Sequence, residues 1–185
     1  MPLRIWQPGD AVVSPAYLDA GFVAAALIRR DTRYAKASSL LGELLANQTE
    51  LVVSLLTLTE AVWAVVKLSY CELMKQPSGA HFNPEIYRRH HENLIARFGD
   101  RFDLVGDFIR DLARDGVPIT FAPDEMGGFQ QLAARLPDQM REFRFASADA
   151  AHFALAQARA RTLITTDSDF QRAADDDLEI VLIQP

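Results

Sequence analysis

Short apolar runs, two of them leading into an acidic residue, alternate along this chain with longer segments of helical period. No other feature narrows the possible folds as much. The runs are Ala16–Asp19, Glu50–Leu55, Gly116–Phe121, the start of Leu163–Phe170, and Leu178–Ile183. Between them, Phe22, Val23, Ala26 and Leu27 recur at helical spacing, as do Leu40, Leu41, Leu44 and Leu45, and then Leu58, Val62, Val65 and Val66. Strands that alternate with helices build a mostly parallel sheet. Right-handed crossovers then bring every strand carboxyl end to one edge. The expected fold is α/β, three layers with a central sheet between helices. At 185 residues and 49% hydrophobic content the chain has the length and apolar content of one domain, 1–185.

Composition removes several classes. The most apolar stretch, Leu51 to Val66, is interrupted by Ser54, Thr57, Thr59 and Glu60, so it predicts core and not a membrane span. The start, Met1 to Trp6, lacks the basic and then long apolar regions of a secretory signal, and the single Cys71 has no partner for an internal disulfide. A reducing, cytoplasmic setting is the expectation. A net charge of −6 argues against a broad basic surface for nucleic acid. That objection weakens if acids gather at one site and cations reverse the local field.

The same edge collects carboxylates. Asp19 ends the first run, Glu60 opens the segment after the second, Asp149 opens the helix before the fourth, and Asp167 and Asp169 follow the fourth. Several have a structural alternative. Thr57 with Glu60 forms a capping box, Asp167 or Asp169 is alternatively a helix cap, and Ser168 and Ser147 are placed as N-caps. Several carboxylates in one cleft repel one another and raise their own pKa values unless cations join them. Mg²⁺ or Mn²⁺, hard ions that take oxygen ligands, would account for the cluster, and hydrolysis of a phosphodiester is the chemistry such a site performs. His81, His90 and His91 match no zinc spacing.

The remaining segments carry weaker signals. Residues 1 to 10, with Pro2, Pro8 and Gly9, predict an irregular lead-in. Gln76 to Gly79 breaks a helix, and a charged helical pattern resumes near Pro84 and runs to Arg114 with a kink at Gly99 or Gly106. Pro123 ends the third run. A helix over Met126–Leu136 leads into a loop, Pro137–Phe145, where Arg141 and Arg144 alternate with Phe143 and Phe145; such a loop either stacks on a nucleic acid strand or packs as a flap.

Four quoted stretches carry a family resemblance. Tyr17-Leu18-Asp19-Ala20, Thr57-Leu58-Thr59-Glu60-Ala61, Ala148-Asp149-Ala150-Ala151-His152 and Ile164-Thr165-Thr166-Asp167-Ser168-Asp169-Phe170 resemble, in order, the four acidic motifs of PIN-domain ribonucleases. The resemblance implies a single PIN-like domain with strand order 3-2-1-4-5 and a divalent-metal-dependent endoribonuclease, often the VapC-like toxin of a toxin-antitoxin pair. Asp19, Glu60, Asp149 and Asp167 would be the catalytic and metal-site acids, Asp169 a fifth, and Thr165 a support for the water at the metal. The implied cofactor is Mg²⁺ or Mn²⁺, and the implied partners are an RNA substrate, an antitoxin and a second copy of the chain. Phe22–Leu27 and Leu40–Leu45 could supply either a dimer interface or core. Two departures stand out. Gly21 occupies a position two residues after the first acid, where the family often has a hydroxyl or amide, and the helical segment around 68–114 is elaborated. A catalytically silent module that binds RNA or protein is the alternative. A phospho-acceptor receiver domain would need a strand-terminal lysine near the chain end, and no lysine follows Lys75.

Overall fold

A computed structural model describes residues 3–77, 80–122, 126–173 and 178–185. Pro2, Ser78, Gly79 and Pro123 lie outside the described residues. In chain order the elements are β1 (Leu3–Ile5), β2 (Ala16–Leu18), α1 (Ala20–Leu27), α2 (Tyr34–Ala46), β3 (Leu51–Ser54), α3 (Leu55–Leu73), α4 (Pro84–Phe98), α5 (Leu104–Arg114), β4 (Ile119–Ala122), α6 (Met126–Phe143), α7 (Ser147–Arg159), β5 (Thr162–Thr165) and β6 (Glu179–Leu182). Every strand pairing among the described residues is parallel, and the six-stranded sheet runs β1-β6-β5-β2-β3-β4.

The period-2 geometry of the strands sorts their side chains into two layers of core. Leu18, Val53, Ile164 and Val181 face one side, where they join Phe22 and Val23 of α1, Leu40 and Leu44 of α2, Ala61 and Val65 of α3, and Phe108 and Leu112 of α5. Tyr17, Val52, Leu163 and Ile180 face the other, against Phe153, Leu155 and Ala156 of α7, with Leu132 and Leu136 of α6 packed at the margin. Strands covered on both faces read as continuous apolar runs, which is why β2, β3 and β5 are buried at every position. Phe22, Val23, Ala26, Leu40 and Leu44 are therefore spent inside the chain's own core, and Leu27, Leu41 and Leu45 are partly buried against it.

The expected order 3-2-1-4-5 corresponds to β4-β3-β2-β5-β6, and the structure adds β1 as a sixth strand at the outer edge of β6. The irregular lead-in is thus corrected over Leu3–Ile5. Three residues between prolines are too few to show a period, and Arg4 holds the strand from its side chain, with Nε 2.5 Å from Glu179 Oε1 and Nη1 3.0 Å from Asp10 Oδ2.

Other boundaries also moved. The kinked helix 84–114 divides at Gly99, where a 3₁₀ turn over Gly99–Asp103 separates α4 from α5; Gly106 lies inside α5. Leu94 and Phe98 of α4 pack on Val66, Tyr70 and Cys71 of α3, a small core that continues the main one through Val62. The predicted loop 137–145 is helical as far as Phe143, with Pro137 inside α6. Interior proline costs a helix about 3 kcal/mol, so tertiary packing has overridden the local signal. Phe145 is buried and, with Phe143, meets the Phe153 ring, while Arg141 pairs with Asp138 at 3.1 Å. The two aromatics are a flap over the second core layer and are not a stacking platform.

Candidate functional site

The sheet order places its topological switch point between β2 and β5. The chain leaves β2 in one direction toward β3 and β4, then crosses back to β5 on the other side, so the crossovers diverge and open a crevice beyond these two carboxyl ends. Asp19 follows β2 directly and Asp167 follows β5 by two residues. An open cleft of about 430 Å³ lies there, lined by Asp19, Gly21, Arg33, Glu60, Asp149, Thr166, Asp167 and Ser168, with Ala20 between.

Local chain geometry explains each acid. Asp19 is the N-cap of α1, its Oδ1 accepting from the Ala20 amide at 2.8 Å, and Thr165 Oγ1 donates to its Oδ2 at 2.8 Å. The Thr165 hydroxyl also accepts from the Asp167 amide at 3.0 Å, which ties the β2 and β5 termini together. Asp167 caps the 3₁₀ turn Ser168–Arg172 by accepting from the Asp169 amide at 2.8 Å; Ser168 is inside that turn and does not cap it. Asp149 stands in the first turn of α7, where a helix N-terminus favours negative charge. The N-cap there is Ala146, because the helix begins one residue earlier than Ser147 would set it, with the Ala150 amide donating to the Ala146 carbonyl. One ligand oxygen from each of Asp149, Asp167 and Asp169 lies within 4.8 Å of the others.

Glu60 is not part of a capping box. Ser54 caps α3, accepting from the Thr57 amide at 3.0 Å, so Glu60 lies beyond the first turn. Thr57 is instead buried and donates to the Leu18 carbonyl at 3.0 Å. Glu60 Oε2 accepts from His152 Nε2 at 2.9 Å, and the same nitrogen is 3.5 Å from Asp19 Oδ1. His152 Nδ1 meets the Tyr17 hydroxyl at 2.8 Å, and that hydroxyl is 2.8 Å from Ser54 Oγ. A buried relay therefore runs from Ser54 through Tyr17 and His152 to Glu60 and Asp19.

His152 and Tyr17 carry no role in the motif pattern. A helical signal does point to the histidine, which is three residues after Asp149 and so on the same face of α7. Arg33 was also missed. It follows Arg29-Arg30-Asp31-Thr32, which reads as an ordinary charged turn.

Electrostatics in the cleft favour protons. Burial raises the Asp19 carboxyl above its usual range, against the opposing pull of His152 and the Thr165 hydroxyl. Burial raises Asp149 too, reinforced by the charges of Asp167 and Asp19. For His152 burial pushes down, but the hydrogen bond to Glu60 and the Asp19 charge prevail and raise it. All three groups bind more protons folded than unfolded in the window above their ordinary values, so each makes the metal-free protein less stable as pH rises. For the acids this window opens at about 4, and for the histidine at about 6.5. Two groups oppose this at low pH. Arg33 holds Asp31 below the carboxylate range despite burial, and the Arg101 hydrogen bond lowers Glu72. Chelator-treated protein should thus melt at higher temperature at pH 5.5 than at pH 8, then lose stability below about pH 4. Flat melting across pH 5.5–8 would contradict the raised carboxyls and histidine.

Gly21 owes its identity to a close approach. A Cβ there would fall well inside 3.0 Å of Thr166 Oγ1 and 3.3 Å from Asp19 Oδ2. The space of the side chain that Gly21 lacks is occupied by the hydroxyl of Thr166, reaching in from the β5 side. Gly21→Ala should cost about 1 kcal/mol or more despite the higher helix propensity of alanine, because Thr166 must leave its position. Adding Thr166→Ala should recover most of that loss, a coupling readable in a double-mutant cycle by chemical denaturation. Additive single effects would contradict the contact.

No family model matches the chain, and no curated protein matches it.

Proposed function

We propose that the chain is a PIN-type, divalent-metal-dependent endoribonuclease. One observation carries the proposal: Asp19, Glu60, Asp149 and Asp167 line one cleft at the sheet's switch point, and Asp169 brings an oxygen within 4.8 Å of those of Asp149 and Asp167. The donor set suits Mg²⁺ or Mn²⁺. It is all oxygen and solvent reaches it; burial first, and then the charges of Asp167 and Asp19, raise the Asp149 carboxyl, and Arg172 pairs with Asp169 at 2.8 Å. Asp149, Asp167 and Asp169 would hold the ion, with Asp19 adjacent. When bound, the ion supplies Lewis acidity that offsets charge building on a phosphate and on an attacking water.

The chain's own residues do the rest. Thr165 and the Ala20 amide fix both oxygens of Asp19, so this carboxylate keeps one orientation. Glu60 holds its Oε2 against His152 and keeps Oε1 for orienting a water and accepting its proton. His152, supported by Tyr17, fixes the orientation of Glu60 through its Nε2.

Purified protein should cleave RNA oligonucleotides with Mg²⁺ or Mn²⁺ and not with a chelator, and Asp19→Asn should remove that activity. Absence of metal-dependent cleavage, or an Asp19→Asn variant as active as the parent, would overturn the nuclease function.

A protein partner of the antitoxin kind belongs to the same proposal. It is favoured by an apolar groove of about 630 Å³ between β4 and the helices α3, α6 and α7, lined in part by Leu55, Leu58, Phe121 and Leu155. Leu55, which lines the groove, is 74% exposed. Among the described residues no helix is long and apolar enough to cross a membrane.

A further inference from the structure

The acidic cleft contains one basic side chain among its described lining residues, Arg33, and no acid of the cleft is its ion-pair partner. Its partner is Asp31, outside the lining. Arg33 Nε donates to Asp31 Oδ1 at 2.8 Å and Nη2 to Oδ2 at 2.7 Å, a two-bond side-on pair, and the Arg33 amide donates to the same Oδ1 at 2.8 Å. The Asp31 side chain is only 6% exposed, while that of Arg33 is 29% exposed and open to the cleft.

Such an arrangement is poorly explained by charge balance alone. A guanidinium recruited to quiet the carboxylates would be expected to bond to them directly. Here a buried acid takes the Nε edge and sets the plane, and both N–H groups of Nη1 with one of Nη2 are left for another acceptor. Within a cleft walled by carboxylates the acceptor that fits is an anion brought in with cations, and the end-on edge of a guanidinium matches two oxygens of a phosphate. Its hydrogen bonds to Asp31, against the opposing effect of burial, raise the Arg33 guanidinium, and the charges of Asp31, Asp19 and Asp167 add to this, so it stays cationic there.

We propose that Arg33, oriented by Asp31, is a substrate-binding residue that donates to the non-bridging oxygens of an RNA phosphate at or beside the bond to be cut. This rests on the nuclease function above and assigns it a contact on the substrate side. Asp31 is then a positioning residue, acting through Arg33.

The test uses the full chain and a short single-stranded RNA, with variants Arg33→Gln, Arg33→Lys and Asp31→Asn. Mn²⁺ binding followed by electron paramagnetic resonance should stay within about 2-fold of the parent, showing an intact fold and acid cluster. Cleavage kcat/KM should fall about 10- to 100-fold in Arg33→Gln, the range for losing hydrogen bonds to a charged group. Arg33→Lys should recover part of it, and Asp31→Asn should lose less than Arg33→Gln. Single methylphosphonate replacements scanned along the RNA should identify one phosphate whose neutralisation weakens the parent but not Arg33→Gln. Loss of Mn²⁺ binding in Arg33→Gln, unchanged kcat/KM, or equal methylphosphonate penalties in both proteins would overturn the assignment. Fluorescence anisotropy with Ca²⁺ separates the two failures. A parent that binds the RNA without ever cutting it defeats the nuclease function alone, and binding unaltered by Arg33→Gln defeats the phosphate contact.

Discussion

Asp149→Asn should abolish metal-dependent RNA cleavage while making the metal-free protein more stable. The two effects have one cause. Asp149 stands within reach of Asp167, Asp169 and Asp19, and burial and those charges together raise its carboxyl; with no cation present it works against the fold. Replacing it by an isosteric amide removes the repulsion, so the melting point in chelator should rise by at least about 2 °C, given roughly 2–4 °C per kcal/mol for a chain of this length. With the amide the site loses a charged ligand. Activity should fall by more than about 10²-fold, because even partners that only orient metal ligands are worth 10- to 100-fold. Added Mn²⁺ should raise the melting temperature of the parent and leave Asp149→Asn nearly unmoved, since a ligand stabilises only the state that binds it. A variant that is less stable in chelator yet still stabilised by Mn²⁺ would remove Asp149 from the metal site.

His152→Ala should be the most damaging single change to stability in the site. The imidazole is 2% exposed and joins Tyr17, Glu60 and Asp19, three groups from β2, α1's cap and α3. Without it the buried Asp19 carboxylate loses its nearest positive neighbour, and breaking a buried pair costs about 3–5 kcal/mol. Tyr17 retains Ser54 and Thr57, which softens the loss. A destabilisation of about 3 kcal/mol is expected, lowering the melting point by roughly 6–12 °C. His152→Phe separates packing from hydrogen bonding. If it restores stability, the ring's volume matters and the relay does not. If it fails as alanine does, the hydrogen bonds carry the effect. Either variant should also reduce cleavage, because Glu60 loses the donor that holds it.

The acids were legible because their positions follow from local grammar. A carboxylate at the end of an apolar run or in the first turn of a helix sits at the same sheet edge whatever the details of packing, provided the strands are parallel. That condition was itself readable from the alternation of Ala16–Leu18, Leu51–Ser54 and Thr162–Thr165 with helical segments. Caps were harder to read. Ser54, Asp167 and Ala146 took places that Thr57, Ser168 and Ser147 had equal local claim to, because a helix start shifts by a residue or a turn when its neighbours pack better that way. Pro137 within α6 and the three-residue β1 were misread in the same way. Packing against α7 and pairing with β6 outweighed local preferences of a few kcal/mol at most.

Sequence alone determined the layered α/β class, the buried strands and the edge on which five acids would meet, since periodicity and strand-end position are properties of neighbours in the chain. Tertiary structure decided what those acids touch. His152 reaches Glu60 across 92 positions and Thr165 reaches Asp19 across 146. Arg33 enters the cleft on a turn held by Asp31, and Thr166 occupies the space Gly21 leaves. Contacts as distant in the chain as His152–Glu60 and Thr165–Asp19 have no period and no local propensity to announce them, because only the assembled sheet brings their partners within hydrogen-bonding distance.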